Sequence, residues 1–200
     1  MFMGFNGQKV DLVKDTGAPD FNNVVEKSSV GVYKKVKIDF FDNLSCTACD
    51  DFVKNTIPKI RRLEQETKDI ELNVYFIPDI NNEINYDSAV SLKCASDQGH
   101  FWEMLDKIHD NQSDLNKKSF IKFGKELELN TDALQECMKE DVYKSAVEGD
   151  VEYASEKNVT FKPSLMINGT YMVGNQPFEN IQKIISQSLK KIQSSTVTSQ

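Results

Sequence analysis

Hydrophobic and polar positions change their period several times along this chain, and each change marks an element. From Lys35 to Phe41 (KVKIDFF) they alternate, which puts Val36, Ile38 and Phe40 on one face of a predicted central strand. From Cys46 the period lengthens, and Phe52, Val53, Ile57, Ile60 and Leu63 fall on one helical stripe ending near Glu66. Pro58 lies inside that stripe and, lacking an N–H, predicts a kink there. Ile70 to Ile77 (IELNVYFI) returns to alternation. The sum is a β-α-β unit, the crossover that joins two parallel strands. Nearer the N-terminus, Gln8 to Lys14 alternates weakly and reads as a short edge strand before a turn at Gly17-Ala18-Pro19.

The stretch from Tyr86 to Lys157 is different in kind. Its apolar residues group at helical spacing: Val90, Leu92 and Cys94; Phe101, Trp102, Leu105 and Ile108; Phe120, Phe123 and Leu127. Leu134, Cys137 and Met138 follow, then Val142, Ala146, Val147 and Ala154, with breaks expected near Gly99, Asn111, Asn130 and Glu140-Asp141. Beyond it, Ser164–Ile167 and Tyr171–Val173 flank Asn168-Gly169, a strong hairpin signal. A last helix after Pro177 buries Phe178, Ile181, Ile184, Ile185 and Leu189. The chain therefore divides into an N-terminal extension with an edge strand (1–34), an α/β domain in two pieces (35–85 and 158–193), a helical subdomain inserted between them (86–157) and a Ser/Thr/Gln-rich tail (194–200) expected to be disordered.

Composition narrows the class. The 200 residues fit one domain of generous size or two very small ones, and 39% hydrophobic with 28% charged is ordinary for a globular protein with a substantial core. A net charge of −7 argues against a nucleic-acid partner, which calls for a basic patch. No run approaches the roughly 18 apolar residues of a membrane span. Met1 to Asp11 lack the basic and apolar regions of a secretion signal, so the chain as it stands reads as cytoplasmic, or as extracytoplasmic if a signal or anchor has been removed.

The chemistry lies in four cysteines: Cys46, Cys49, Cys94 and Cys137. Cys46-Thr47-Ala48-Cys49 is a C-x-x-C at the point where a strand gives way to a helix. Two thiols at that spacing can close and reopen a small disulfide ring, and the N–H groups at a helix N-terminus stabilise a thiolate on the first. A thiolate is the attacking species in disulfide exchange. The same spacing is also half of a zinc site, and the motif alone does not choose.

The residues around it do. The stretches IDFFDNLSCTACDDF (38–52), CASDQGHFWEM (94–104) and VTFKPSLMINGTYMVGNQPFENI (159–181) resemble the DsbA-like branch of the thioredoxin superfamily over most of the chain. The resemblance implies an α/β thioredoxin fold with an inserted helical subdomain, and a thiol–disulfide oxidoreductase needing no cofactor and no metal. It implies Cys46 as the exposed nucleophile and Cys49 as the buried resolving thiol. Asp39 would assist proton transfer, although one residue more than expected separates it from Cys46. Pro163 would be cis and shape the approach of substrate, with the backbone of Lys162 pairing with the substrate chain and Thr47 and Ala48 beside it. Partners would be cysteine-containing proteins and a separate redox protein that resets the pair.

Two departures from the family pattern bear on direction. Phe161-Lys162 stands where a small or β-branched residue is usual, and a lysine there would favour a Cys46 thiolate. Thr47-Ala48 lacks the histidine of strongly oxidising members. These act in opposite senses, so oxidase and reductase stay open. For Cys94 and Cys137, two readings stand: a pair of small buried thiols, or a disulfide between helices, as in some similar proteins. Closing a loop of that size is worth about 4 kcal/mol. The rival functions are a redox-inactive peptide-binding chaperone of the same fold and a four-cysteine zinc module. His100 and His109 lack metal-ligand spacing and read as surface or capping residues. Four Asn-x-Ser/Thr tripeptides, the first at Asn43, read as chance matches.

Overall fold

The computed structural model describes residues 25–26, 34–79 and 81–197. Its centre is a five-stranded sheet in the order β1-β5-β4-β2-β3. β2 (Val36–Asp42) and β3 (Ile70–Phe76) run parallel, Val36 opposite Ile70 and Asp42 opposite Phe76. β4 (Ser164–Ile167) is antiparallel to β2, and β5 (Thr170–Val173) continues the hairpin. The turn has φ 46° at Asn168 and 85° at Gly169. Two successive positive φ values match the twist of a two-residue hairpin, which is why Asn-Gly sits there. Asn168 also accepts the Lys37 N–H at 2.8 Å, tying the turn to β2.

The outer strand is β1 (Val25–Glu26), antiparallel to β5. The edge strand expected at Gln8–Lys14 lies outside the described residues. The strand that does pair with the sheet edge has too few residues to show a period.

α1 (Thr47–Asn55) and α2 (Ile57–Glu66) make the crossover between β2 and β3. The kink expected at Pro58 is a break at Thr56, with Pro58 in the first turn of α2, where its missing N–H costs nothing. The apolar stripe of both helices meets the even-numbered residues of β2. Phe52 stacks on Phe40 with ring centroids 5.1 Å apart, and Val36, Ile38, Ile57 and Ile60 are buried with them. Burying such side chains stabilises by about 1.5–3 kcal/mol each. α8 (Phe178–Val197) adds Ile181 and Ile185 to this core. It runs through residues 194–197, so the described part of the segment expected to be disordered is helical. There Ser194 Oγ donates to the Lys191 carbonyl one turn back.

The insertion holds α3 (Glu83–Asp97), α4 (Phe101–Asp110), a single 3₁₀ turn (Gln112–Asp114), α5 (Lys117–Glu126), α6 (Thr131–Cys137) and α7 (Asp141–Glu156). The five helices expected from periodicity are all present. Met104, Leu105, Phe120, Leu134 and Val147 belong to one hydrophobic core with Val36, Ile38 and Phe40, so the insertion and the sheet share an interior. α7 covers the odd face of β2 and β3: Tyr153 stacks on Tyr75 at 4.5 Å and Phe41 at 6.1 Å. Asp150 of α7 accepts the Phe76 N–H at 3.1 Å and pairs with Lys93 of α3 at 2.7 Å. Burial pushes the Asp150 carboxyl up despite that partner.

Candidate active site

The loop that delivers the first cysteine is held by Asn43. Its side-chain oxygen accepts the Ser45 N–H at 3.0 Å, its amide donates to the Ile77 carbonyl at 3.1 Å, and its own carbonyl accepts the Cys46 N–H at 3.1 Å. This is the local Asx geometry that short polar side chains favour. Cys46 follows in extended conformation (φ −112°, ψ 130°) as the N-cap of α1. Its Sγ accepts the Cys49 N–H at 3.0 Å, the role an N-cap serine oxygen plays elsewhere. The sulfur thus sits at the positive end of a helix.

Cys46 and Cys49 are joined as a disulfide with Cα atoms 5.2 Å apart. Their exposure differs. Cys46 is half-buried, Thr47 and Ala48 are exposed, and Cys49 has no accessible surface. Of the two, Cys46 alone has surface open to solvent.

The Lys162–Pro163 bond is cis. Pro163 is buried, and its carbonyl accepts the Gly174 N–H at 2.8 Å. The Ser164 hydroxyl donates back to the Phe161 carbonyl at 2.6 Å. This turn presents the Lys162 carbonyl 3.9 Å from Cys46 Sγ, so strand β4 and helix α1 meet at the reactive sulfur. Across the same opening, Asn175 is hydrogen-bonded to Asp51 of α1. Phe161 is 61% exposed and Val173, opposite Ser164 in the hairpin, 38%; among the described residues these are the two exposed large hydrophobic side chains. Both flank the cis-proline turn.

Asp39 is buried on the odd face of β2. Its carboxylate accepts from Asn73 Nδ2 at 3.2 Å and the Tyr153 hydroxyl at 2.8 Å, and lies 3.6 Å from Lys37 Nζ. Burial, then the bond to this carboxylate, pushes the Tyr153 hydroxyl far up. Neither cysteine is among those partners. A second acid, Asp42, ends the same strand on the even face shared by Phe40 and α1, and it is fully buried against His109. That corrects the reading of His109 as a surface or capping residue: it is 2% exposed, because α4 turns it inward beside Ile108 onto the end of β2. His100 does occupy the N-cap position of α4, without a side-chain cap bond. Sequence reasoning passed over Asp42, yet the alternation that put Ile38 and Phe40 under the helix carries on to it.

The other two cysteines, Cys94 of α3 and Cys137 at the end of α6, are also a disulfide, with Cα atoms 5.9 Å apart. All four sulfurs are thus bonded in pairs, which removes the ligand set of the zinc reading. No group of three or more His, Cys, Asp or Glu side chains among the described residues could hold a metal ion.

Fold and site together are those of a thioredoxin-fold protein with a helical insertion and a C-x-x-C disulfide facing a cis-proline. A family model described as Thioredoxin matches residues 33–187, and the chain belongs to that family. Among solved structures, BdbD from Bacillus subtilis in its oxidised form superposes with a TM-score of 0.68 at 18% identity, covering 78% of this chain and 88% of that one. Chlamydia trachomatis DsbA gives 0.67 at 18%, over 79% and 88%. The thiol-disulfide exchange protein alpha-DsbA2 from Wolbachia pipientis gives 0.66 at 16%, over 81% and 83%. At these identities the likeness is one of fold. Two curated relatives, Na(+)/H(+) antiporter NhaA 3 of Salinispora tropica and NhaA 1 of Salinispora arenicola, are 27% and 25% identical over 82 and 99 residues. The matched stretches are 41% and 50% of this chain but 13% and 15% of those proteins. Among the described residues no helix is long and apolar enough to cross a membrane.

Proposed function

We propose that this protein is a thiol–disulfide oxidoreductase that exchanges its Cys46–Cys49 disulfide with cysteines of protein substrates. One observation carries the reading: the sulfur of the partly exposed residue Cys46 caps the N-terminus of α1, joined to a buried Cys49 and facing the Lys162 carbonyl ahead of cis-Pro163. A substrate thiolate attacks Cys46 Sγ, the Cys46–Cys49 bond breaks, and Cys49 leaves with the electron pair and takes up a proton. A mixed disulfide between Cys46 and the substrate results. A second substrate thiolate then attacks the substrate sulfur, and Cys46 leaves as a thiolate held by the Cys49 N–H and the helix end. The substrate is oxidised and the protein reduced; run backwards, the same steps reduce a substrate disulfide.

The remaining roles belong to the same proposal. Pro163 bounds the approach, the Lys162 carbonyl pairs with an extended substrate backbone, and Thr47 and Ala48 form the opposite lip. Asp39 is assigned no part in the exchange, contrary to the role the resemblance implied, because its carboxylate is held by Asn73 and Tyr153 on the face of β2 opposite α1. Phe161 and Val173 offer apolar contact to residues beside the substrate cysteine, so unfolded or extended segments are favoured. A separate redox protein resets the pair after each turnover. Insulin reduction by a thiol donor tests the reading: the wild-type chain accelerates it and Cys46→Ala does not. Equal rates would refute exchange and leave a peptide-binding chaperone.

A further inference from the structure

On the face of β2 that carries Phe40, at the end of the strand that leads into the Cys46 loop, lies a buried polar group that the exchange steps leave unused. His109 Nε2 and Asp42 Oδ2 are 2.9 Å apart, with both side chains wholly inaccessible. Gln112 Nε2 lies 2.9 Å from His109 Nδ1, and Asp50 Oδ1 lies 3.8 Å from it. Asp42 Oδ1 is buried with no hydrogen-bond partner. Buried polar atoms left unpaired are few in folded proteins, and each calls for a reason.

The group is attached to both sides of the redox motif. Asp42 closes the strand that leads into Cys46, and Asp50 follows Cys49 directly in the first turn of α1. The charged residues around the ring are Asp42 from β2, Asp50 and Lys54 from α1, and Asp106 and Asp110 from α4, with Arg61 of α2 acting on Asp106. Burial pushes the Asp106 carboxyl up. A proton added to His109 therefore enters a setting with more carboxylates than cations. The Gln112 amide can serve either state of the ring. With its NH₂ donating to Nδ1, the single ring proton sits on Nε2 toward Asp42; turned over, its oxygen accepts from the Nδ1–H of a doubly protonated ring.

We propose that His109, held by Asp42 and Gln112, is a positioning residue for the Cys46–Cys49 couple, its ring taking up a proton as the disulfide is reduced. The inference rests on the exchange activity proposed above. In the reduction, two thiols of a dithiol donor become a disulfide and supply two electrons. The Cys46–Cys49 bond breaks to a Cys49 thiol and a Cys46 thiolate, and one proton is left over. His109 takes up a proton in its place, so a positive ring forms behind α1 as a negative sulfur forms at its N-terminus. By linkage the coupling is reciprocal: the thiolate favours the protonated ring and the protonated ring favours the reduced pair.

The chain has two histidines, so histidine labelled with ¹³C gives two NMR signals that can be titrated in the oxidised and the reduced protein. The His109 signal is expected to titrate at higher pH after reduction, by a coupling of about fivefold or more, while the His100 signal stays in place. Coincident His109 titrations in the two states, or no His109 titration in either, would overturn the proposal. Equilibration with glutathione buffers between about pH 5.5 and about pH 8.5 gives the complementary readout. His109→Gln is expected to remove the part of the pH dependence that thiol titration does not explain, and Asp42→Asn to weaken it. Superimposable profiles from a folded His109→Gln protein would also overturn it. If that variant does not fold, the wild-type titration decides alone. A wild-type pair that never equilibrates with glutathione sinks the exchange reading itself and the inference with it, an outcome distinct from normal equilibration with an unmoved His109.

Discussion

The two disulfides of this protein are the same bond in opposite surroundings. Cys46 stands at the N-terminus of α1, where its sulfur receives a backbone N–H and the helix end is positive. Cys137 is the last residue of α6, at the negative end of that helix, and Cys94 lies inside α3 with 1% of its surface accessible. A thiolate is stabilised in the first setting and disfavoured in the second. The loops differ as well, with three residues of separation against 43. In the chain-entropy account the longer loop constrains the unfolded chain by about 4 kcal/mol and the shorter by about 2. A disulfide's work is thus decided by what surrounds its sulfurs and how much chain it closes. Under the proposed function the first pair exchanges, while the second joins α3 to α6.

That contrast can be broken experimentally. The largest effect is expected from Cys46→Ala, which should reduce insulin-reduction activity to the uncatalysed background, whereas Cys94→Ala with Cys137→Ala should retain most of it. Loss of activity in the double variant without loss of fold would mean that the helical pair also exchanges. Next in size, the same double variant should lose about 4 kcal/mol of stability in urea titrations, and selective reduction of Cys46–Cys49 about 2 or less. Similar losses from both would contradict the loop-length account.

A smaller effect concerns reactivity. In the reduced protein at neutral pH, Cys46 should be alkylated by iodoacetamide at least about tenfold faster than Cys94 or Cys137, as expected for a thiolate at a helix N-terminus. Mass spectrometry of partly labelled protein reads the order directly, and early labelling of Cys137 would argue against helix-end control. The smallest effect is at the rim. Phe161→Ala should raise KM for protein substrates severalfold while leaving reaction with glutathione disulfide unchanged, and stability should move by less than about 0.5 kcal/mol because the ring is exposed. A comparable loss with the small disulfide would place Phe161 in the chemistry and not in substrate contact.

Much of the fold is legible in the sequence. The alternation in KVKIDFF, the helical stripe from Phe52 to Leu63 and the Asn-Gly turn are local signals, and local signals define β2, the α1–α2 crossover and the β4–β5 hairpin. The C-x-x-C at a strand-to-helix junction marked, for the same reason, the disulfide that stands at the start of α1, since helix-end electrostatics acts within one turn. β1 was not legible, because two residues carry no period and its pairing depends on the exposed edge of β5. Neither did periodicity show that the helix would break at Thr56 and keep Pro58 in the next first turn.

The sequence by itself determined β2, the helices, the β4–β5 hairpin and the placing of Cys46 and Cys49 at a helix start, because neighbours a few residues apart supply the forces concerned. Only the tertiary structure decided that Cys94 meets Cys137 across 43 residues, that Lys162 brings its carbonyl to Cys46 across 116, and that His109 is buried on Asp42 across 67. These contacts arise from packing helices onto both faces of one sheet. A residue's own neighbourhood in the chain cannot reveal which face it will meet.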